Sequence, residues 1–126
     1  MNINEQLSKI NSQLNHNDSK KLLFIVPESA GDIFLSTSIL PAMSKNYEGY
    51  EIYFACKPEY QSILKNNPHI TKVIDYVPLM EQQVYMEGTG EWKGLFDISI
   101  MATILTQKIL NYLNNGLTKI MFDLKI

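Results

Sequence analysis

The chain has 126 residues and a mass of 14.5 kDa, room for a single domain, and 45% apolar residues supply a real core. Its net charge of −2, from 11 basic and 13 acidic side chains, excludes the clustered basic face that binding a nucleic-acid backbone requires. Every basic residue is Lys and none is Arg, so an anion must be held by ammonium point charges or backbone N–H groups, not by a bidentate fork.

Residues 1–20 read as a first unit, a helix followed by a hinge. Ile3, Leu7, Ile10 and Leu14 are spaced 4, 3 and 4, an apolar seam over two heptads. Two heptads are too few for a free coiled coil, so the helix either docks on its own domain or joins a neighbouring subunit or assembly. Asn15 to Lys21 is the polar hinge. Met1 to Lys20 holds no uninterrupted apolar stretch, so no secretory signal is expected. The longest apolar run, Leu22 to Val26, is far short of the roughly 20 residues of a membrane helix. The expectation is a soluble cytoplasmic protein without a membrane span, or a particle component if phage-encoded.

Residues 21–126 read as one domain. Leu22 to Val26, closed by Pro27, has the continuous apolar pattern of a strand buried on both faces. Glu28 to Asp32 is the turn after it. Ile33 to Asn46 predicts a helix with Leu35, Ile39, Ala42 and Met43 on its buried face, kinked or restarted at Pro41 with Thr37 or Ser38 as cap. Tyr50 to Cys56 is a second strand, and Pro58 to Asn66 a short helix with Tyr60, Ile63 and Leu64 inward, stopped by Asn67-Pro68. Lys72 to Val77 is a third strand, residues 79–95 an irregular excursion, and Asp97 to Met101 a fourth strand. Thr103 to Asn115 predicts a helix and Lys119 to Leu124 a fifth strand. Strands alternating with helices imply a single Rossmann-like α/β domain with a mostly parallel five-stranded sheet, and right-handed crossovers give the order 3-2-1-4-5.

In such sheets ligands bind beyond the carboxyl ends of the strands, at the switch point, here the loop Glu28 to Asp32. Gly31 permits a tight turn. Asp32 has two readings, a carboxylate base for a substrate hydroxyl or a helix N-cap. The loop has neither the three glycines of a dinucleotide fingerprint nor the Gly-Lys-Ser/Thr ending of a P-loop, so no nucleotide cofactor is expected. His16, His69 and the single Cys56 make no metal set, and Cys56 reads as a small buried residue. Lys57 and Glu59 follow the second strand at the same rim, as pocket lining or as solvated charge. Tyr85, Trp92 and Lys93 in the long loop stack on a sugar face or pin the loop.

The stretch LLFIVPESAGDIFLSTSILPAMSKN (residues 22–46) resembles the opening of family-nine glycosyltransferases, the lipopolysaccharide heptosyltransferase group. The likeness continues in KPEYQSILKNNPHITKVIDY (57–76), with its Asn-Pro segment, and in FDISI and KIMFDLK. It covers about residues 21 to 125. It implies the first, acceptor-holding domain of a two-domain GT-B fold, with Asp32 as base on the acceptor hydroxyl and Ser29, Ala30, Gly31, Thr37 and Lys57 around the acceptor. The nucleotide-sugar domain of that fold has no counterpart in the sequence, and the leading helix is an addition to the family pattern. Two functions follow as expectations. One is the acceptor half of a heptosyltransferase-like enzyme, inactive alone and completed by a donor-binding domain on another chain. The other is a non-catalytic module, such as a phage particle component, fastened to an assembly or to copies of itself through Ile3, Leu7, Ile10 and Leu14.

Overall fold

Strand β1 (Lys21–Ile25) is buried along its whole length, as a two-sided apolar run requires. The computed structural model describes residues 1–27 and 30–101. It pairs β1 in parallel with β2 (Glu51–Cys56), which in turn pairs with β3 (Lys72–Asp75). A separate antiparallel ribbon, β4 (Gly88–Thr89) and β5 (Trp92–Lys93), precedes β6 (Ile98–Met101), which lies on the other side of β1. The sheet order is β3-β2-β1-β6, the order expected of the first four predicted strands, in an α/β domain with a leading helix. The helix expected over Thr103–Asn115 and the fifth strand, Lys119–Leu124, lie outside the described residues.

Alternation along the strands divides the core in two. Leu22, Phe24, Val26, Ile52, Phe54 and Cys56 face one side, under α2 (Ala30–Ser36) and α3 (Leu40–Asn46). Phe24 and Phe54 meet edge to face there, with centroids 5.2 Å apart. Leu23, Ile25, Tyr53, Ala55 and Ile74 face the other side, under α1 (Ile3–Ser12), the 3₁₀ turn Pro78–Glu81 and α4 (Gln83–Met86).

Two expected helical faces are corrected. The first helix begins at Ala30 and breaks into a 3₁₀ turn over Thr37–Ile39. Pro41 then falls in the first turn of α3, where its missing N–H costs nothing. Ile39 and Met43 are buried as expected, joined by Ile33, Ser36 and Leu40, whereas Leu35 is exposed. Thr37 and Ser38 do not cap α3. Their hydroxyls donate backward to the carbonyls of Phe34 and Leu35 at 2.6 and 2.7 Å, a local bond that competes with the helical ladder. Residues Pro58–Leu64 form a 3₁₀ helix. At three residues per turn it aligns Gln61 with Leu64 and swings Ile63 out toward solvent.

Helix α1 is a layer of the domain itself. Asn2 caps it, its Oδ1 accepting the Glu5 N–H at 2.8 Å while its amide donates to the Glu5 carboxylate at 2.9 Å. Ile10 and Leu14 are buried against the sheet, Leu7 is half-buried and Ile3 is exposed. Polar side chains of α1 also serve the neighbouring backbone. Gln13 accepts the Asp75 N–H at 3.0 Å, Gln6 accepts the Leu79 N–H at 2.9 Å, and Lys9 lies 3.8 Å from the Asp75 carboxylate. The apolar seam read from the sequence thus closes inward, and Ile10 and Leu14 do not present a surface to another chain.

The hinge after α1 is strapped across the amino end of the sheet by Glu51. Its carboxylate accepts from Asn15 at 3.2 Å, Asn17 at 3.0 Å and the Tyr53 hydroxyl at 3.0 Å, and lies 3.4 Å from the Lys21 ammonium. Burial pushes this carboxyl up, but the bonds from Asn17, Asn15, Tyr53 and Lys21 outweigh it and hold the group at about 2, against an ordinary 4.5. A folded-state value below the unfolded one means that the ionised form stabilises the fold. That contribution is complete above 4.5 and is lost as pH falls toward about 2. Urea unfolding at neutral pH and at about pH 3 should therefore show a larger loss of stability in the wild type than in Glu51→Gln, whose side chain does not titrate. Equal losses in the two proteins would contradict this account of the strap.

Candidate functional site

The carboxyl edge of the sheet brings together the ends of β1, β2 and β3 and the start of α2. Val26 donates its N–H to the Ala55 carbonyl at 2.9 Å, so the chain leaves β1 beside the exit of β2. There Lys57, exposed and extended, leads into the 3₁₀ helix Pro58–Leu64. Helix α2 packs on that 3₁₀ helix. Ala30 and Gly31 open α2, Gly31 exposed and Ala30 partly so, and Asp32 is its third residue with 8% of its surface accessible. Asp32 thus lies inside the first turn and not in the residue before the helix. In that position its charge favours the helix dipole. Ser29 lies outside the described residues.

Thr37 does not join this group. It is five positions beyond Asp32, well round the helix axis, and its hydroxyl is bound to its own turn. Gly31, Asp32 and Lys57 share the rim; Glu59 is on the same side, exposed to solvent. The edge also carries a carboxylate that reading along the chain missed. Asp75, the last residue of β3, accepts the Gln61 amide at 2.7 Å and lies near Lys9. Its only sequence signal is its place two residues before Val77-Pro78. With both oxygens engaged by Gln61 and Lys9, it ties α1 to the rim.

Cys56, at the end of β2, is fully buried. Burial, reinforced by the charge of Asp75, pushes its thiol up to about 12 from an ordinary 9.0, which rules out a thiolate nucleophile at neutral pH. A thiol reagent should label it roughly 10³-fold more slowly than a free cysteine in the native protein and at the free rate in denaturant. Rapid native labelling would contradict the burial.

Tyr85 and Lys93 are placed elsewhere. Tyr85 packs on the α1-side core, so it pins its segment. Lys93 borders two hollows, one of about 460 Å³ at the amino end of the sheet and one of about 350 Å³ beside Leu7 and Asn11. The larger is polar, lined by His16, Asp18, Lys20, Lys93 and Asp97 among others. The Lys21 ammonium at its margin is directed at Asn17, Ser19 and Glu51, so its three donors are already in use. Among the described residues no group of three His, Cys, Asp or Glu side chains is placed to hold a metal, and no helix is long and apolar enough to cross a membrane.

Comparison with protein families, curated proteins and solved structures finds no match to this chain. What the site can do chemically therefore rests on its own geometry: an acidic side chain in the first turn after the central strand, at a switch point between β1 and β6, with an ammonium on the neighbouring strand exit.

Proposed function

We propose that the chain is the acceptor-side domain of a heptosyltransferase-like glycosyltransferase that works with a donor-binding domain. The observation that supports this most is the placement of Asp32 at the carboxyl edge of β1, beside Gly31 and on the same rim as Lys57, where α/β sheets hold ligands. In the reaction an acceptor hydroxyl attacks the anomeric carbon of a nucleotide-sugar. The new C–O bond forms as the bond to the diphosphate breaks, with inversion, and Asp32 takes the hydroxyl proton. Ala30 and Gly31 line the approach, and Lys57 favours an acceptor carrying negative charge. Charge developing on the departing diphosphate needs preorganised donors, which fall to the donor-binding domain.

The chain alone should give no transfer with any nucleotide-sugar, and transfer should appear when a heptosyltransferase donor-binding domain is supplied. Turnover by the chain alone, or tight binding of a sugar nucleotide without help, would contradict the proposal. The other reading, a non-catalytic module fastened to a larger assembly through α1, has less support, because Ile10 and Leu14 are buried and only Ile3 and part of Leu7 remain for a partner.

A further inference from the structure

Lys57 stands in a loop whose hydrogen bonds close on themselves. A residue before proline is confined to extended backbone, and Lys57 takes it, with φ −64° and ψ 142°. Its carbonyl accepts the Tyr60 N–H at 3.0 Å, the bond that opens the 3₁₀ helix Pro58–Leu64. One residue earlier, the Cys56 carbonyl accepts the Tyr76 N–H at 2.9 Å. Within the 3₁₀ helix, the Gln61 amide donates to the Asp75 carboxylate at 2.7 Å. Asp75 and Tyr76 are neighbours in sequence, so the circuit runs from Cys56 through Lys57 to Gln61, across to Asp75 and back through Tyr76. Its one link between side chains is the Gln61–Asp75 bond.

Both ends of that link are themselves held. Leu64, three residues after Gln61 and on the same side of the 3₁₀ helix, is buried in the core. The Asp75 N–H is given to Gln13 of α1 at 3.0 Å, and its second carboxylate oxygen lies 3.8 Å from the Lys9 ammonium. A hydrogen bond that ends on an ion is stronger than one between neutral groups. Lys57 carries its charge on a long flexible stem, and ordering such a stem on binding costs affinity, least where the backbone beneath it is fixed beforehand.

We propose that Gln61 and Asp75 are positioning residues for Lys57. The clamp they form fixes the base of that side chain and so sets the preference of the rim for an anionic acceptor. The inference rests on the acceptor-site reading above and deepens it.

The test titrates the isotope-labelled full-length chain with a phosphorylated lipopolysaccharide inner-core oligosaccharide and with the same oligosaccharide after dephosphorylation. The wild type should prefer the phosphorylated form by about tenfold, the gain from one charge-assisted contact, and Lys57→Ala should remove that preference. Gln61→Leu should weaken binding of the phosphorylated form by about 2- to 10-fold, the cost of ordering one long side chain, and leave the dephosphorylated form unaffected. Added to Lys57→Ala it should have no further effect, because a residue that acts through another has nothing left to act on. Asp75→Asn keeps an acceptor oxygen for Gln61 and should bind as the wild type does. A folded Gln61→Leu protein with the wild-type preference, or one whose loss adds to that of Lys57→Ala, would overturn the proposal. So would a wild type that binds both oligosaccharides equally. A wild type that binds neither would instead overturn the acceptor-site reading, and amide hydrogen exchange then decides the clamp by itself. Tyr60 and Tyr76 should exchange faster in Gln61→Leu while the amides of β1 keep their wild-type rates; unchanged exchange at both tyrosines would overturn the clamp as well.

Discussion

Asp32→Asn should lower transfer by about 10²- to 10⁴-fold in the chain paired with a donor-binding domain, the range a positioned general base contributes. The amide keeps the shape and the hydrogen-bonding reach of the side chain but does not take the proton. Asp32 also contributes its charge to the first turn of α2, and losing that interaction costs about 0.3–1 kcal/mol. Activity and stability should thus separate: a large fall in kcat, little change in acceptor binding, and a midpoint of urea unfolding close to that of the wild type. If Asp32 only favours the helix dipole, stability falls by the same small amount and transfer is unchanged. A steady-state assay beside a denaturation curve distinguishes the two.

Ile10→Ala should destabilise the domain by about 2–5 kcal/mol, the cost of emptying a fully packed site. Ile10 has no accessible surface and packs with Leu14, Leu23, Ile25 and Tyr53 under α1. Since domains of this size have only about 5–15 kcal/mol in hand, a large part of the margin would go. Ile3→Ala, seven residues earlier on the same seam but exposed, should change stability by less than about 0.5 kcal/mol. The contrast tests whether α1 is an integral layer. Equal, small effects from both substitutions, read from urea midpoints at constant slope, would make α1 an appendage and would restore its seam as a surface for partners.

The strands of the central sheet were legible because nothing but burial explains runs such as Leu22 to Val26 and Ile52 to Cys56. Their observed limits lie within two residues of the expected ones. Strand order followed from alternation of elements and the handedness of crossovers, and the break before Pro41 from the missing N–H. Helical faces were harder. The 3₁₀ steps at Thr37–Ile39 and Pro58–Leu64 shift the period away from 3.6, which turned Leu35 and Ile63 away from where the α-helical count put them. The segment from Pro78 to Gly94 was opaque for a different reason. Its order comes from backbone bonds between residues 85–87 and 94–96 and from one close contact at Gly94, and neither has a periodic signature. The Glu51 strap was equally hidden, since Asn15 and Asn17 sit 36 and 34 positions from it and read in isolation as hinge residues.

At the candidate site, the turn after the central strand was legible as a location, because Gly31 and Asp32 follow a strand that must be internal. The neighbours of that turn were only partly so. Lys57 shares the rim as its place after β2 implies, whereas Asp75 was read as a strand residue and its bonds to Gln61 and Gln13 and its ion pair with Lys9 became visible only in three dimensions.

The central claim is that the carboxyl edge at Asp32 is an acceptor site. Titrating the isotope-labelled chain with a lipopolysaccharide inner-core oligosaccharide and following backbone amide resonances tests it directly. The shifts of Gly31, Asp32 and Lys57 should move together and saturate, while a nucleotide-sugar leaves the spectrum unchanged. Saturating shifts confined to the polar hollow at Lys20, Lys93 and Asp97, or a spectrum saturated by the nucleotide-sugar alone, would contradict the claim.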